Sequence, residues 1–150
     1  MGRLNEILTL AQARATDFQL PYAGALTPQE ANEVRQLAHN AAIVDVRTRA
    51  ERDWVGRVPD AIEIEWATYP GMQPNPDFLA QLKQQIGKET PLLFICRSGA
   101  RSNAAATIAT QAGYADCYNV LEGFEGDKNT DGHRNEINGW CAAELPWTQS

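Results

Sequence analysis

The segment from Cys96 to Ser102 places one thiol, two guanidinium groups and two hydroxyl groups within a single short stretch, Cys-Arg-Ser-Gly-Ala-Arg-Ser. An apolar run at residues 91–95 precedes it and an alanine-rich run follows, so we expect the thiol between a buried strand and the first turn of a helix. The unpaired N–H groups of such a turn, together with Arg97 and Arg101, favour the thiolate. Because the thiolate is the reactive form of cysteine, the segment predicts a solvent-exposed nucleophile at Cys96.

The other residues of this segment are predicted to form a cradle for an anion. Gly99 allows the turn to curl with its amides directed inward. Planar, multi-donor arginines suit the orientation of an anionic ligand. Ser98 and Ser102 are expected either to donate hydrogen bonds to the sulfur or to cap the helix, and capping is the favoured role for Ser102. The alternative is that Cys96 is simply a small buried side chain in a tight turn. The predicted cradle residues are Arg97, Ser98, Gly99, Ala100, Arg101 and Ser102.

The elements that must position this segment alternate between strand and helix. Amphipathic spacing predicts a helix within residues 4–15, and the capping box Thr27-Pro28-Gln29-Glu30 predicts another as far as about His39. Further helices are predicted at 50–54, 75–87 and 102–112, and strands at 42–46, 61–65, 91–95 and 116–120. Apolar strands that alternate with helices indicate an α/β fold, an open and mostly parallel sheet with helices on both faces. Ligand sites of such sheets lie at the carboxyl ends of the strands.

Length and composition indicate one domain and exclude several kinds of partner. The chain has 150 residues and a net charge of −6, which argues against a nucleic acid or an anionic membrane as partner. Three cysteines do not make a disulfide framework. We find no secretory signal and no apolar stretch of membrane-spanning length. We therefore expect a cytoplasmic protein with one domain over residues 1–150, in which 1–20 form an N-terminal helical extension and 126–138 a surface insertion.

Three stretches of the chain resemble the rhodanese family of sulfurtransferases. Residues 96–102 are similar to the family's active-site loop. Residues 44–47, with Glu51 and residues 56–61, resemble its Asp-x-Arg and Gly-His-Ile-Pro-Gly-Ala segments, and residues 139–147 resemble its closing segment. The resemblance covers about residues 22–148. This chain has Arg57 where the family usually has histidine, and Asp60 and Glu144 where it usually has glycine. None of these departures lies in the cysteine loop.

The resemblance implies a two-step transfer of sulfur. The Cys96 thiolate takes the outer sulfur of a donor, a small anion such as thiosulfate or else a persulfide, and holds it as a Cys96 persulfide. A nucleophilic acceptor, cyanide or a thiol of a protein partner, then removes it. No metal or organic cofactor is implied. Asp45 is expected to order the loop amides, and for Arg47 an ion pair with Glu51 is favoured over contact with substrate. Arg57 is expected either to face the pocket as an anion contact or to lie at a solvated rim.

Two other functions stay open at the level of the sequence. A sulfur carrier or docking module for a protein partner would also keep Cys96. Cysteine-dependent phosphatases and arsenate reductases also place a cysteine before an anion loop, but with five residues between cysteine and arginine, whereas four separate Cys96 from Arg101.

The region after the last predicted strand contains two further candidates. Residues 122–126 are predicted to form a wall of the pocket. Residues 127–132 match the first half of a calcium loop, but Asn138 stands where the glutamate ligand would be, so a surface turn explains the same residues. Cys117 in a strand and Cys141 in a terminal helix are predicted to be packing residues rather than metal ligands. A resolving role for Cys141 is the weaker alternative.

Overall fold

The computed structural model describes residues 2–149, which form a five-stranded parallel sheet in the order β1-β7-β6-β2-β3 with helices around it. A separate two-stranded antiparallel pair is formed by β4 and β5. In chain order the elements are α1 (Gly2–Phe18), β1 (Gly24–Leu26), α2 (Pro28–Leu37), β2 (Ala42–Asp45), α3 (Arg49–Val55), β3 (Ile62–Glu63), β4 (Ala67–Thr68), β5 (Gln73–Pro74), α4 (Phe78–Gln85), β6 (Leu92–Ile95), α5 (Ala100–Gln111) and β7 (Cys117–Val120). The predicted α/β fold with a mostly parallel sheet is confirmed.

The central strand β6 is buried on both faces, as a strand at the centre of a parallel sheet must be. Leu92 and Phe94 belong to the apolar cluster on one face, and Leu93 and Ile95 belong to the cluster on the other. The neighbouring strands β2 and β7 pair with β6 in parallel, so the three strands end at the same edge of the sheet. Cys96 therefore begins its loop at the edge where β2 and β7 also end.

Two helices begin with the same capping arrangement. At α2, the Thr27 hydroxyl accepts a hydrogen bond from the Glu30 amide while the Glu30 carboxylate accepts one from the Thr27 amide. Thr48 and Glu51 repeat this reciprocal pair at α3. Each box satisfies backbone donors that a helix start leaves unpaired. The sequence predicted the first box but not the second.

The N-terminal helix α1 packs against the sheet and α2. Ile7 and Ala11 are its buried residues, and the backbone of Gly24 in β1 lies directly against Ala11. A Cβ at Gly24 would lie 2.7 Å from the Ala11 carbonyl carbon, so only glycine allows this approach. Whether residues 1–20 form a separate extension stays a prediction. No helix within residues 2–149 is long and apolar enough to cross a membrane.

Several predicted boundaries were wrong. Helix α5 begins at Ala100, two residues before the predicted start, because Gly99 in the left-handed region already turns the chain into the helix. The third strand is reduced to Ile62–Glu63, and β1, β4 and β5 were not predicted. Cys141 lies in turns rather than in a terminal helix, and residues 126–138 contain neither helix nor strand. Strands of two or three residues carry too little apolar periodicity to be recognised.

Candidate active site

Cys96 directly follows β6, and its sulfur lies beneath the turn that leads into α5. The backbone N–H of Gly99 donates a hydrogen bond to Cys96 Sγ at 3.1 Å. Gly99 has a φ of 109°, a conformation that side-chain-bearing residues rarely adopt, and it is the N-cap of α5. The inward-directed amide expected of this turn is therefore present at Gly99, and it stabilises negative charge on the sulfur.

Ser102 supplies the second contact to the sulfur. Its Oγ lies 3.3 Å from Cys96 Sγ, 2.5 Å from Asn119 Oδ1 and 3.2 Å from the Gly99 carbonyl oxygen. A hydroxyl has one hydrogen, so while Ser102 donates to Asn119 the neutral thiol can donate to Ser102. When Cys96 is a thiolate, rotation of the hydroxyl provides a donor to the sulfur. The favoured capping role of Ser102 was wrong, because this residue lies inside α5 and no side chain caps the helix.

Asn119 is a residue of the site that the sequence analysis missed. It lies on β7, is 4% exposed, and its Nδ2 donates to the Gly99 carbonyl oxygen at 3.3 Å. Asn119 thus contacts both Ser102 and the Gly99 turn. The available signal was a single amide side chain within the otherwise apolar end of a strand, where a buried polar group requires partners.

The Cys96 thiol is buried rather than exposed. The residue is 1% exposed, so the prediction of a solvent-exposed nucleophile was wrong. In the loop that follows, Arg97 and Ala100 are exposed, and Ser98, Gly99 and Arg101 are half-buried.

Arg101 is held by Glu51 in a two-pronged ion pair. Its Nη1 and Nη2 donate to Glu51 Oε1 and Oε2 at 2.7 and 2.8 Å. Burial by itself would raise the pKa of Glu51, but hydrogen bonds from Arg101 and Thr48 outweigh it and lower the pKa to about 2. The pair joins the loop to the capping box of α3. The predicted ion pair of Glu51 with Arg47 is wrong, since Glu51 binds Arg101 instead.

Asp45 and Arg47 form a pair of their own at the end of β2. Both side chains are fully buried, and Arg47 Nη2 lies 2.7 Å from Asp45 Oδ2. The Asp45 carboxylate also accepts the backbone N–H of Arg47 at 3.0 Å, so it does not order the loop amides as expected. The Arg47 guanidinium lies over the ring of Phe124, 4.1 Å from its centroid. Through this contact, the Asp45–Arg47 pair connects the end of β2 to Phe124 in the segment 122–126.

Residues 122–126 pack directly on the backbone of the loop. The N–H of Phe124 donates to the Cys96 carbonyl oxygen at 2.8 Å, and the N–H of Glu125 donates to the Arg97 carbonyl oxygen at 3.0 Å. A Cβ at Gly123 would lie 2.5 Å from the Arg97 carbonyl carbon and oxygen. Residues 122–126 therefore support the loop from the side of β7, and their role as a wall of the pocket stays a prediction.

The remaining arginines differ in their pairing. Arg57 forms ion pairs with Asp53 and, at 3.6 Å, with Glu63, and its backbone pairs with Thr148. Its side chain is half-buried, and contact of Arg57 with an anion stays a prediction. The exposed Arg97 makes no ion pair with any residue in the range 2–149.

No cluster of three or more histidine, cysteine, aspartate or glutamate side chains within residues 2–149 is arranged to hold a metal ion. In the predicted insertion, the Asn129 side-chain oxygen accepts the backbone N–H groups of Asp131 and His133, which is a turn interaction.

Burial raises the pKa of Cys117 and of Cys141 to about 11 in each case. All three cysteines are free thiols.

Comparison with known proteins identifies the family that this sequence matches. The sequence model of the rhodanese-like domain matches residues 30–130. The chain is 36% identical over 115 residues to the uncharacterized protein RP600 of Rickettsia prowazekii, covering 74% of this chain and 85% of the relative. It is 45% identical to Rv0390 of M. tuberculosis, with a TM-score of 0.79 over 86% of this chain and 99% of that structure. Over 50 residues it is 46% identical to the thiosulfate sulfurtransferase GlpE of Tolumonas auensis, covering 33% of this chain and 47% of that protein.

Proposed function

Because the chain belongs to the rhodanese-like domain family, we propose that it is a sulfurtransferase in which Cys96 carries the sulfur as a persulfide. The observation that carries the proposal is the convergence of the Gly99 amide, which donates at 3.1 Å, and the Ser102 hydroxyl, at 3.3 Å, on the Cys96 sulfur. The amide donor, joined by the hydroxyl once it has turned toward an ionised sulfur, favours the anion, which is the form that attacks. A 46% identical stretch in a thiosulfate sulfurtransferase supports the same chemistry.

In the first step, the Cys96 thiolate attacks the outer sulfur of the donor. With thiosulfate, a bond forms between Cys96 Sγ and that sulfur while the sulfur–sulfur bond of the donor breaks, and its electron pair leaves with sulfite. In the second step, an acceptor thiolate or cyanide attacks the outer sulfur of the persulfide and returns the Cys96 thiolate. The loop amides hold the transferred sulfur in the way that an oxyanion hole holds a charged oxygen.

The cradle is held from three sides by the residues around it. Asn119 fixes Ser102 and the Gly99 carbonyl, Glu51 holds Arg101, and the segment 122–126 bonds to the carbonyls of Cys96 and Arg97. Such support keeps the loop in place before the substrate arrives, so that only the Ser102 hydroxyl has to turn toward the sulfur. We propose the cytoplasm as the compartment, in keeping with three unbridged cysteines.

The proposal is tested by the intact mass of the protein after incubation with thiosulfate. The wild-type chain is expected to gain one sulfur atom, and Cys96→Ala is expected to gain none. Cys117→Ala is the matched control, because Cys117 is also a buried thiol at a strand of the same sheet. Gain of one sulfur by a folded Cys96→Ala variant contradicts the proposal.

The same samples separate the enzyme from its two alternatives. Rapid turnover with cyanide or a dithiol supports an enzyme, whereas loading followed by transfer only to a protein thiol supports a carrier. Hydrolysis of a phenyl phosphate without any sulfur gain supports a phosphatase.

A further inference from the structure

A series of polar side chains connects the Cys96 sulfur to a buried tyrosine. Ser102 Oγ lies 3.3 Å from the sulfur and 2.5 Å from Asn119 Oδ1. The tyrosine is Tyr22, which precedes β1, is 6% exposed and belongs to the same apolar cluster as Cys96. Its hydroxyl donates to Asn103 Oδ1 at 2.6 Å. Burial raises the pKa of the Tyr22 phenol and a hydrogen bond with Asn119 opposes that rise, so Tyr22 also contacts Asn119.

The hydrogen bonds of this series suit a neutral Cys96. The Ser102 hydroxyl donates to Asn119 Oδ1, and Asn119 Nδ2 donates to the Gly99 carbonyl oxygen at 3.3 Å. If the hydroxyl turns to a negatively charged sulfur, Ser102 Oγ and Asn119 Oδ1 face each other at 2.5 Å without a hydrogen between them. Two acceptors at that distance repel each other, so the turn of the hydroxyl requires a change at Asn119.

Rotation of the Asn119 carboxamide by half a turn removes this repulsion. Nδ2 then donates to Ser102 Oγ while the Ser102 hydrogen points to the sulfur, and Oδ1 takes the former place of Nδ2. The Gly99 carbonyl oxygen keeps a donor, the backbone N–H of Asn103 at 3.1 Å. The rotated Oδ1 is buried and therefore needs a donor of its own.

Tyr22 can supply that donor. A phenol hydroxyl both accepts and donates, so it can accept from Asn119 Nδ2 in one state and donate to Asn119 Oδ1 in the other. To donate to Asn119, the Tyr22 hydroxyl must give up its bond to Asn103 Oδ1. Asn103 is exposed, so water can replace the phenol there at little cost.

We propose that Tyr22 is a positioning residue for Cys96, which acts through Asn119 and Ser102 as their hydrogen bonds reverse around an ionised sulfur. The inference rests on the proposed function, in which the Cys96 anion attacks the donor. Tyr22 is separated from the sulfur by two side chains and takes no part in the chemistry. Its hydroxyl lowers the cost of turning Ser102 toward the sulfur, and this speeds the attack.

The test follows loading, the addition of one sulfur from thiosulfate to Cys96, by intact mass over a range of thiosulfate concentrations. Tyr22→Phe removes the hydroxyl and keeps the ring. The variant leaves the rotated Asn119 oxygen without a donor, so we expect the limiting rate constant to fall about fivefold or more. The half-saturating thiosulfate concentration should not change, because Tyr22 does not bind the donor. A higher half-saturating concentration with an unchanged limiting rate constant overturns the inference.

Tyr114→Phe is the matched control. Tyr114 is a buried tyrosine of the same apolar cluster, and its hydroxyl donates to the carbonyl oxygen of Ile86 at the end of α4, at 2.7 Å. Each variant loses one hydrogen bond of a buried phenol, so both should be less stable in urea unfolding. Only Tyr22→Phe should slow loading. If Tyr114→Phe slows loading as much, lost stability explains the rate and Tyr22 has no positioning role.

A double-mutant cycle tests whether Tyr22 acts through Ser102. In Ser102→Ala there is no hydroxyl to turn, so the further change Tyr22→Phe should leave the limiting rate constant as it is in Ser102→Ala. If Tyr22→Phe slows loading by the same factor with and without the Ser102 hydroxyl, the two residues act independently and the inference is wrong.

The inference and the proposed function fail in different ways. If the wild-type protein adds no sulfur to Cys96, the proposed sulfurtransferase is wrong and the role of Tyr22 falls with it. If the wild-type protein and Tyr22→Phe are loaded at the same rate, the proposed function stands and the role of Tyr22 is wrong.

Discussion

Replacement of Glu51 by glutamine tests whether the ion pair with Arg101 both stabilises the fold and positions the loop. In the wild-type ion pair, Arg101 Nη1 and Nη2 lie 2.7 and 2.8 Å from the two carboxylate oxygens of Glu51. The Glu51 and Arg101 side chains are only 19% and 16% exposed. Glutamine retains an oxygen for the capping box, so the variant removes the charge and largely keeps the helix start. The effect is therefore expected to follow the ionisation of Glu51.

The magnitude follows from the lowered pKa of Glu51. The pKa falls from an ordinary value of 4.5 to about 2 in the folded protein. At 1.36 kcal/mol per pKa unit, this corresponds to about 3 kcal/mol of stability at neutral pH. A carboxyl group whose pKa is lowered by folding contributes fully above its unfolded pKa, and the contribution is lost as the pH falls through the folded pKa. The difference between wild type and Glu51→Gln should therefore be about 3 kcal/mol at pH 7 and shrink below about pH 4.5.

Glu30→Gln provides a matched control elsewhere in the fold. Glu30 caps α2 with Thr27 and binds Arg14 in two-pronged fashion, at 2.6 and 3.0 Å, with side chains that are 14% and 20% exposed. Burial acts to raise the pKa of Glu30, and its hydrogen bonds with Arg14 and Thr27 lower it overall. Both variants should lose stability, but only Glu51→Gln should slow the addition of sulfur from thiosulfate to Cys96.

The assay is urea unfolding of the three proteins from pH 3 to pH 7, with loading of Cys96 measured in parallel at pH 7. If the stability difference of Glu51→Gln is the same at pH 3.5 and pH 7, the reasoning from its ionisation is refuted. If Glu30→Gln slows loading as much as Glu51→Gln, a loss of general stability explains the rate, and Arg101 has no positioning role.

Three further perturbations test the packing around the loop. Ser102→Ala removes a donor to a charged sulfur, which is worth about 1.5–3 kcal/mol, so loading at pH 7 should slow about tenfold or more, a result that stopped-flow mass analysis can check. Gly123→Ala should destabilise the fold by more than Gly132→Ala in urea unfolding, because both glycines have positive φ but a Cβ lies 2.5 Å from Arg97 only at Gly123. Arg47→Met should cost about 3–5 kcal/mol by leaving the Asp45 charge buried, and addition of Asp45→Leu should restore part of that loss.

The central part of the fold was predictable because its signals are strong and local. The apolar run of β6 and the alanine-rich α5 on either side of Cys96 placed the thiol at the edge of the sheet, where the structure has it. Strand β1 and the pair of β4 and β5 were missed, because two- or three-residue strands depend on partners distant in sequence. Helix α5 was placed two residues late, because a glycine with positive φ can begin a helix as well as end one.

The partners of the charged side chains could not be predicted from their order in the chain. Glu51 is four residues from Arg47 and fifty from Arg101, yet it binds Arg101, since the parallel register brings α3 and the Cys96 loop to the same edge. Arg47 instead folds back on Asp45, two residues away. An ion pair between neighbouring elements is a property of the sheet order, and that order was not part of the prediction.

The ion pair of Arg101 changes what the two arginines of residues 96–102 indicate about the site. In isolation, two arginines in a seven-residue loop indicate an anion site. One of them, Arg101, is bound by Glu51 at 2.7 Å before any substrate arrives, so it contributes rigidity to the loop. The same ion pair joins the Cys96 loop to α3 and lowers the pKa of Glu51. The stability of the fold and the rate at which Cys96 is loaded should therefore change together when Glu51 is replaced.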